Sequence, residues 1–372
     1  MSEKEYKNFY TTQDRNKFEL APSVLVKPTK DCYLDGCEGL RYTQGFFEDF
    51  EAEPLSFYVL EDAILVDGVV VIHNNEVIKE TVYQAGYKTS MLESPILHGK
   101  PLKIKECEPS EYIQQTSFLF NTLLENFAHW HMQSLANTAF FEKIEEVTGE
   151  KTADMVFINT NGFEKEHFRA QSIDKFGLSS FKFINPRENN CHRTIRFKKL
   201  IVPTTHMISA HHRFNPFIAQ SLRAKMLLMP KLDKNSPKRI FINRKDAPGQ
   251  RRNITNVEEL EQKLQKQGFI SLSTGNLSYE DQLSLFYNAE MIISPHAGSL
   301  TGLLAGNPDL KILELFNSVQ LNGWYRNLAD SINIKYKSYC VDVSEYENRL
   351  WDMSFSVNTD LIEKIVNDYL FK

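Results

Sequence analysis

The chain has 372 residues, enough for two ordinary domains, each with its own core. Apolar residues make up 42% and charged residues 24%, the balance of a globular protein and not of a disordered one. The net charge of −5 argues against a nucleic-acid partner, which would need a basic face, but it leaves room for a local basic pocket.

Residues 1–16 are polar and charged, without the apolar stretch of a secretory signal, and nowhere do roughly 20 apolar residues run together as a membrane span needs. The expectation is a cytoplasmic protein. The cysteines (Cys32, Cys37, Cys107, Cys191, Cys340) are scattered, with no Cys-x-x-Cys pair, and read as reduced thiols; a metal half-site at Cys32 and Cys37 is the weaker reading.

Residues 1–50 carry no readable pattern. From Leu55 to Tyr83 the chain is rich in β-branched and aromatic residues, broken by Asp67-Gly68 and Asn74-Asn75, which predicts a small β-meander with tight turns. Beyond Glu111 strands and helices alternate. Residues 119–144 have helical spacing, MVFIN (155–159) reads as a buried strand, 165–176 as a helix, and KKLIVPT (198–204) as a strand. Pro216 suits the first position of a helix running to Met229. Pro230 to Lys238 reads as an interdomain linker. RIFINR (239–244) then predicts a strand, and Thr255 to Glu258 a capping box. The helix that follows carries Val257, Leu260 and Leu264 on one face and ends at Gly268. FISLS (269–273) is the next strand, Ser278 caps a helix, and MIIS (291–294) and KILELF (311–316) are buried strands with a short helix between. A last helix covers about 360–370. This alternation predicts an α/β protein built of βαβ units on parallel sheets. The expected division is 1–110 as an irregular, β-rich region, 111–230 as one Rossmann-like domain and 231–372 as a second.

Open parallel sheets bind ligands beyond the carboxyl ends of their strands. Two segments fall at such places. Arg244 ends a strand, and Arg251 and Arg252 lie in the loop before the capped helix, where guanidinium groups could clamp a diphosphate or simply form a solvated basic loop. Ser294 to Gly302 follows a strand and opens a helix, so backbone N–H groups and the positive helix end face one crevice; His296 could donate to a phosphate oxygen or to a sugar. No Gly-x-Gly-x-x-Gly and no Gly-Lys-Ser/Thr occurs, which disfavours a dinucleotide or P-loop site. Glu314, inside KILELF, is costly to bury without a partner, and ribose hydroxyls or solvent at the strand's end are the two expected ones. In the other half, Glu125-Asn126-Phe127-Ala128-His129-Trp130-His131 places Asn126 and His129 three apart on one helix face, with His131 pointing elsewhere. His206, His211 and His212 read as loop residues.

Taken in order, NFAHW (126–130), FINRKDAPGQRRNITNVEEL (241–260), GFISLSTGNLSYEDQLSLFYNAEMIISPHAGSL (268–300) and ILELF (312–316) resemble the catalytic domain of glycosyltransferase family 61, the DUF563 group. The resemblance covers about residues 115–345. It implies a GT-B architecture of two facing Rossmann-like domains, and an inverting, metal-independent transfer from a nucleotide sugar, a UDP-sugar in the first place. It maps Arg244 and Arg252 onto the donor diphosphate, and His296, Ala297, Gly298, Ser299 and Glu314 onto the nucleotide crevice. Asn126 and His129 fall on the opposing wall. No cofactor or metal is implied beyond the donor itself. The acceptor would be a glycan or a lipid-linked saccharide in surface-polysaccharide assembly, which would bring the protein to the inner face of a membrane.

Two departures stand out. The family's His-Gly-Ala-Gly-Leu is here His296-Ala297-Gly298-Ser299-Leu300, and an acidic residue four places after the motif histidine is here Gln133. A glutamine cannot take a proton, so Glu125 and His129 are both candidates for the base. The alternatives are a degenerate member that binds nucleotide or glycan without turnover, and an unrelated α/β enzyme.

Overall fold

The computed structural model describes residues 2–6, 16–37, 46–78, 80–81, 92–93, 102–106, 108–121, 126–160, 168–186, 193–205, 213–229, 236–246, 252–319, 321–343 and 353–371. It is a mixed α/β protein of two compact units, Met1–Val24 with Ala52–Leu222, and Leu25–Glu51 with Arg223–Lys372.

In the first unit the meander forms as expected: Leu55–Val66, Val70–His73 and Glu76–Val77 pair antiparallel. Asp67, Gly68, Asn74 and Asn75 all take positive φ, the backbone that two-residue hairpin turns require. The meander is not a layer of its own. Leu55–Val66 pairs antiparallel with Thr194–Pro203 from Val66 opposite Thr194 to Phe57 opposite Pro203, so the β-rich segment and residues beyond 111 share one sheet and one core. The strand over Thr194–Pro203 starts four residues before the predicted one because this pairing extends it. The predicted helical stretch 119–144 also divides: Ser117–Asn121 is a fully buried strand, and helical structure begins at Phe127. A continuous run of buried Phe118, Leu119 and Phe120 cannot present one apolar face to a core as an amphipathic helix does. In the sheet, Lys182–Ile184, Val156–Asn159, Ser117–Asn121 and Thr194–Pro203 lie side by side and parallel. Their chain order is third, second, first, fourth, one half of a doubly wound sheet, and it reverses between Ser117–Asn121 and Thr194–Pro203. A small sheet joins Ser2–Tyr6, Leu102–Glu106 and Leu92–Glu93.

The second unit holds a six-stranded parallel sheet in the order Ile270–Leu272, Arg239–Ile242, Met291–Pro295, Lys311–Asn317, Lys335–Val341, Cys32–Asp35. For the five strands of the C-terminal half the chain order is second, first, third, fourth, fifth, with the reversal between Arg239–Ile242 and Met291–Pro295. The sixth comes from the N-terminal region: Cys32–Asp35 covers the edge of Lys335–Val341, and Cys37 and Phe46 pack with Phe316, Leu321 and Cys340. Helix Val257–Lys266 buries Leu260 and Leu264, one turn apart, each contributing about 2 kcal/mol. The C-terminal helix Thr359–Phe371 packs Ile362, Ile365 and Val366 into the same core. Thr255 does not cap Val257–Lys266; the N-cap residue is Asn256, and its amide instead pairs both ways with the Val357 backbone. Ser278 does cap its helix, accepting from the Asp281 N–H at 3.1 Å. The linker expected over 230–238 lies largely outside the described residues. Among the described residues no helix is long and apolar enough to cross a membrane.

Candidate functional site

The strand order of the second unit reverses between Arg239–Ile242 and Met291–Pro295, the place where open parallel sheets bind ligands, and both sequence-predicted anion-binding segments begin at the carboxyl ends of these strands. Arg244 follows the first of these strands and His296 the second. Arg252 stands just before helix Val257–Lys266. Arg244 and Arg252 both have left-handed backbones, with φ of 58° and 59°, a conformation costing about 1–2 kcal/mol in a residue with a side chain. The neighbours of Arg244 hold it there. The Asn243 carboxamide oxygen accepts from the Lys245 N–H at 3.1 Å, spanning Arg244, while the Lys245 ammonium donates to Glu261 at 2.8 Å. Asn243 is itself tied to Ser271 and Ser273 at 2.9 and 2.6 Å. Beyond Arg252, Asn253 and Thr255 are bonded to Ser354 and Phe355. Burial first, then the fields of Arg252 and Arg244, depress the basicity of His296, to about 3.

His296 does not face a ligand alone. Its Nδ1 lies 2.6 Å from Glu314 Oε1, and the Asn322 amide donates to its Nε2 at 3.2 Å. The Asn322 carbonyl oxygen accepts from the Trp324 N–H at 3.1 Å, which fixes the amide's orientation and so the tautomer: the imidazole is neutral, with its proton on Nδ1. Glu314 is fully buried, and its other oxygen accepts from the Tyr336 hydroxyl at 2.6 Å. Both oxygens thus meet protein side chains, and the carboxyl does not reach solvent at the strand's end. Burial raises the Glu314 carboxyl well above the ordinary carboxylate range; the Tyr336 bond and the charge of Arg326 oppose that rise. The His296 ring is flanked by Phe316 and Tyr325, with centroids 5.3 and 5.1 Å away. The result is a low-charge bracket of hydrogen-bonded side chains around His296. Ala297 is buried, Gly298 and Ser299 are half-buried, and the short helix Gly298–Ala305 that follows is of 3₁₀ type. Gly302, one of the small residues of that segment, serves packing: a Cβ there would clash with the Phe286 ring.

In the first unit the strand-order reversal lies beside Ser117–Asn121, and the segment beginning at Asn126 lies beyond that strand's carboxyl end. Asn126 caps it by accepting from the His129 N–H at 2.9 Å. The helix is irregular: one turn at Phe127–His129, a π-helical turn at Trp130–Ser134 and a 3₁₀ stretch at Leu135–Phe140. Such π-turns collect at functional sites. His129 is half-buried, with Nδ1 2.6 Å from the Gln133 amide oxygen. Trp130 is buried and donates to Ser172 at 2.8 Å, and His131 turns into the core, bonded to the Phe127 carbonyl at 2.7 Å. Burial pushes the His131 imidazole down to about 4, opposed by the Phe127 bond.

The structure thus gathers Arg244, Arg252, His296 and Glu314 at one edge, and Asn126 and His129 at the edge of the other unit. Glu125, Arg251, His206, His211, His212, Cys107 and Cys191 lie outside the described residues. Sequence reasoning missed Asn322, Tyr336, Arg326 and Asn137. A signal existed for Tyr336: the alternation in KYKSYCV predicts a strand, and the register pairing Glu314 with Ser338 puts Tyr336 diagonally opposite Glu314 on the same face. No such pattern marks Asn322, two residues before a helix.

No curated protein matches the chain. A family model described as Glycosyltransferase 61 matches residues 127–313, from the turn that carries His129 to the strand that carries Glu314, and that is half of the chain. The chain accordingly belongs to the glycosyltransferase 61 family.

Proposed function

We propose that the protein is an inverting GT-B glycosyltransferase that moves a sugar from a nucleotide sugar, UDP-linked, to a hydroxyl of a glycan or lipid-linked saccharide in surface-polysaccharide synthesis. The carrying observation is the pair Arg244 and Arg252, both held in left-handed backbone conformations and both acting on His296 at the strand-order reversal. Breaking the bond from the anomeric carbon to the diphosphate leaves negative charge on the departing oxygen. Two guanidinium groups, with the backbone N–H groups from Ala297 to Ser299, supply fixed positive charge for it without a divalent ion. The sequence carries no Asp-x-Asp of the sort that holds magnesium on a diphosphate. His129 takes the proton of the attacking hydroxyl, and Asn126 holds the turn on which His129 sits. Attack from the face opposite the leaving group inverts the anomeric centre. The acceptor's lipid would account for peripheral contact with the inner membrane face from the cytoplasm.

The test is a thermal-shift titration with UDP. A ligand that binds only the folded state raises the unfolding midpoint. The midpoint of the wild-type protein rises with UDP in the presence of a chelator, and that rise disappears in Arg244→Ala while the unliganded midpoint stays put. An equal rise in the variant removes the clamp from the mechanism, and a strict requirement for manganese removes its metal independence.

A further inference from the structure

We infer that Gln133 is a positioning residue that selects which nitrogen of His129 takes the proton, by holding hydrogen on Nδ1 and so making Nε2 the basic atom. The inference rests on His129 as the base of the proposed function.

The geometry carries it. The Gln133 amide oxygen faces His129 Nδ1 at 2.6 Å, a close hydrogen-bond distance. A carboxamide oxygen only accepts, so Nδ1 must donate. A neutral imidazole has one N–H, and placing it on Nδ1 puts the lone pair on Nε2.

Gln133 can do this because it is buried and its backbone is tied down. It is 1% exposed, inside the π-turn that brings it one turn from His129. Its backbone carbonyl accepts from the Asn137 amide at 2.9 Å, and the same amide donates to Phe120 O at 2.9 Å on the parallel strand Ser117–Asn121. The other end of Asn137 accepts from the Thr205 hydroxyl at 2.6 Å, just past strand Thr194–Pro203. The two strands on either side of the reversal therefore fix Asn137, Asn137 fixes the backbone of Gln133, and the Gln133 side chain fixes His129. Nothing in this chain of bonds needs a carboxylate. A neutral amide sets the tautomer while adding no charge that would hold the imidazolium after it has taken the proton, so the proton is easily passed on.

Because Asn137 grips the Gln133 backbone, replacing the side chain leaves that tie intact. In Gln133→Met, which keeps the length and loses the acceptor, kcat falls about tenfold to a hundredfold while KM for the donor and the unfolding midpoint stay within error. Gln133→Glu, still an acceptor, keeps kcat within a few-fold of wild type. Independently of turnover, ¹⁵N spectra of histidine-labelled protein, assigned by loss of the signal in His129→Ala, show the His129 proton on Nδ1 in wild type and shared between both nitrogens in Gln133→Met. A wild-type proton on Nε2, or unchanged kcat in Gln133→Met where His129→Ala is inactive, overturns the inference. Undiminished transfer by His129→Ala overturns the base assignment instead, and the spectra still decide whether Gln133 sets the tautomer.

Discussion

His129 and His296 both lie beyond the carboxyl ends of parallel strands next to a reversal of strand order, and each has Nδ1 2.6 Å from a side-chain oxygen. There the likeness stops. His296 meets a carboxylate in a buried setting, with Asn322 on its second nitrogen and two arginines whose fields oppose its protonation. His129 meets a neutral amide on an irregular helical turn and is partly open to solvent. The first arrangement suits a histidine that must not change charge, a strut for the loop that follows strand Met291–Pro295. The second suits one that must take up a proton and release it. A motif histidine is informative through the partner on its other nitrogen more than through its own presence.

The comparison breaks most readily at His129. His129→Ala lowers transfer by about 10²–10⁴-fold, the usual worth of a positioned base, with the unfolding midpoint nearly unchanged. A loss of only a few-fold would put the base elsewhere. At the other histidine the expected damage is to stability. Glu314→Leu removes the acceptor for two buried donors, His296 Nδ1 and the Tyr336 hydroxyl, costing about 3–5 kcal/mol in denaturant unfolding. A cost below about 1 kcal/mol would mean that Glu314 is not a strut and would return it to ligand contact.

The smallest effect sharpens the contrast through a third histidine. His131 is buried neutral, its folded basicity depressed to about 4. The unfolded chain takes a proton near the ordinary value of about 6.5, so this contribution is complete above that pH and is lost as the pH falls toward 4. Between pH 6.5 and 5 it amounts to about 2 kcal/mol, seen as a steeper stability slope in wild type than in His131→Gln. Parallel slopes for the two proteins would mean that His131 is hydrated or already charged.

Local pattern was enough for most of the second unit. RIFI, MIIS and KILELF are short apolar runs fenced by polar turns, and Ser278 announces its helix, because strand burial and side-chain capping act over a few residues. Arg244 and His296 were legible for the same reason: they sit where such strands stop. Harder to read were segments whose conformation is set by something far away in sequence. Asn256 is diverted from capping by Val357, and residues 119–121 join a strand because neighbours on both sides pair with it.

The sequence by itself therefore determined the alternating α/β character, the positions of Arg244 and His296 just past strand ends and of Arg252 before a helix, and, by family match, glycosyl transfer. Tertiary structure alone decided that Cys32–Asp35 completes the second sheet, that the meander belongs to the first, and that Glu314 faces His296 and Tyr336. Strand pairing and buried hydrogen bonds are made between residues tens to hundreds of positions apart. Their partners are chosen by which backbone edges and polar atoms remain unsatisfied once the chain has collapsed, and no local window of sequence records that choice.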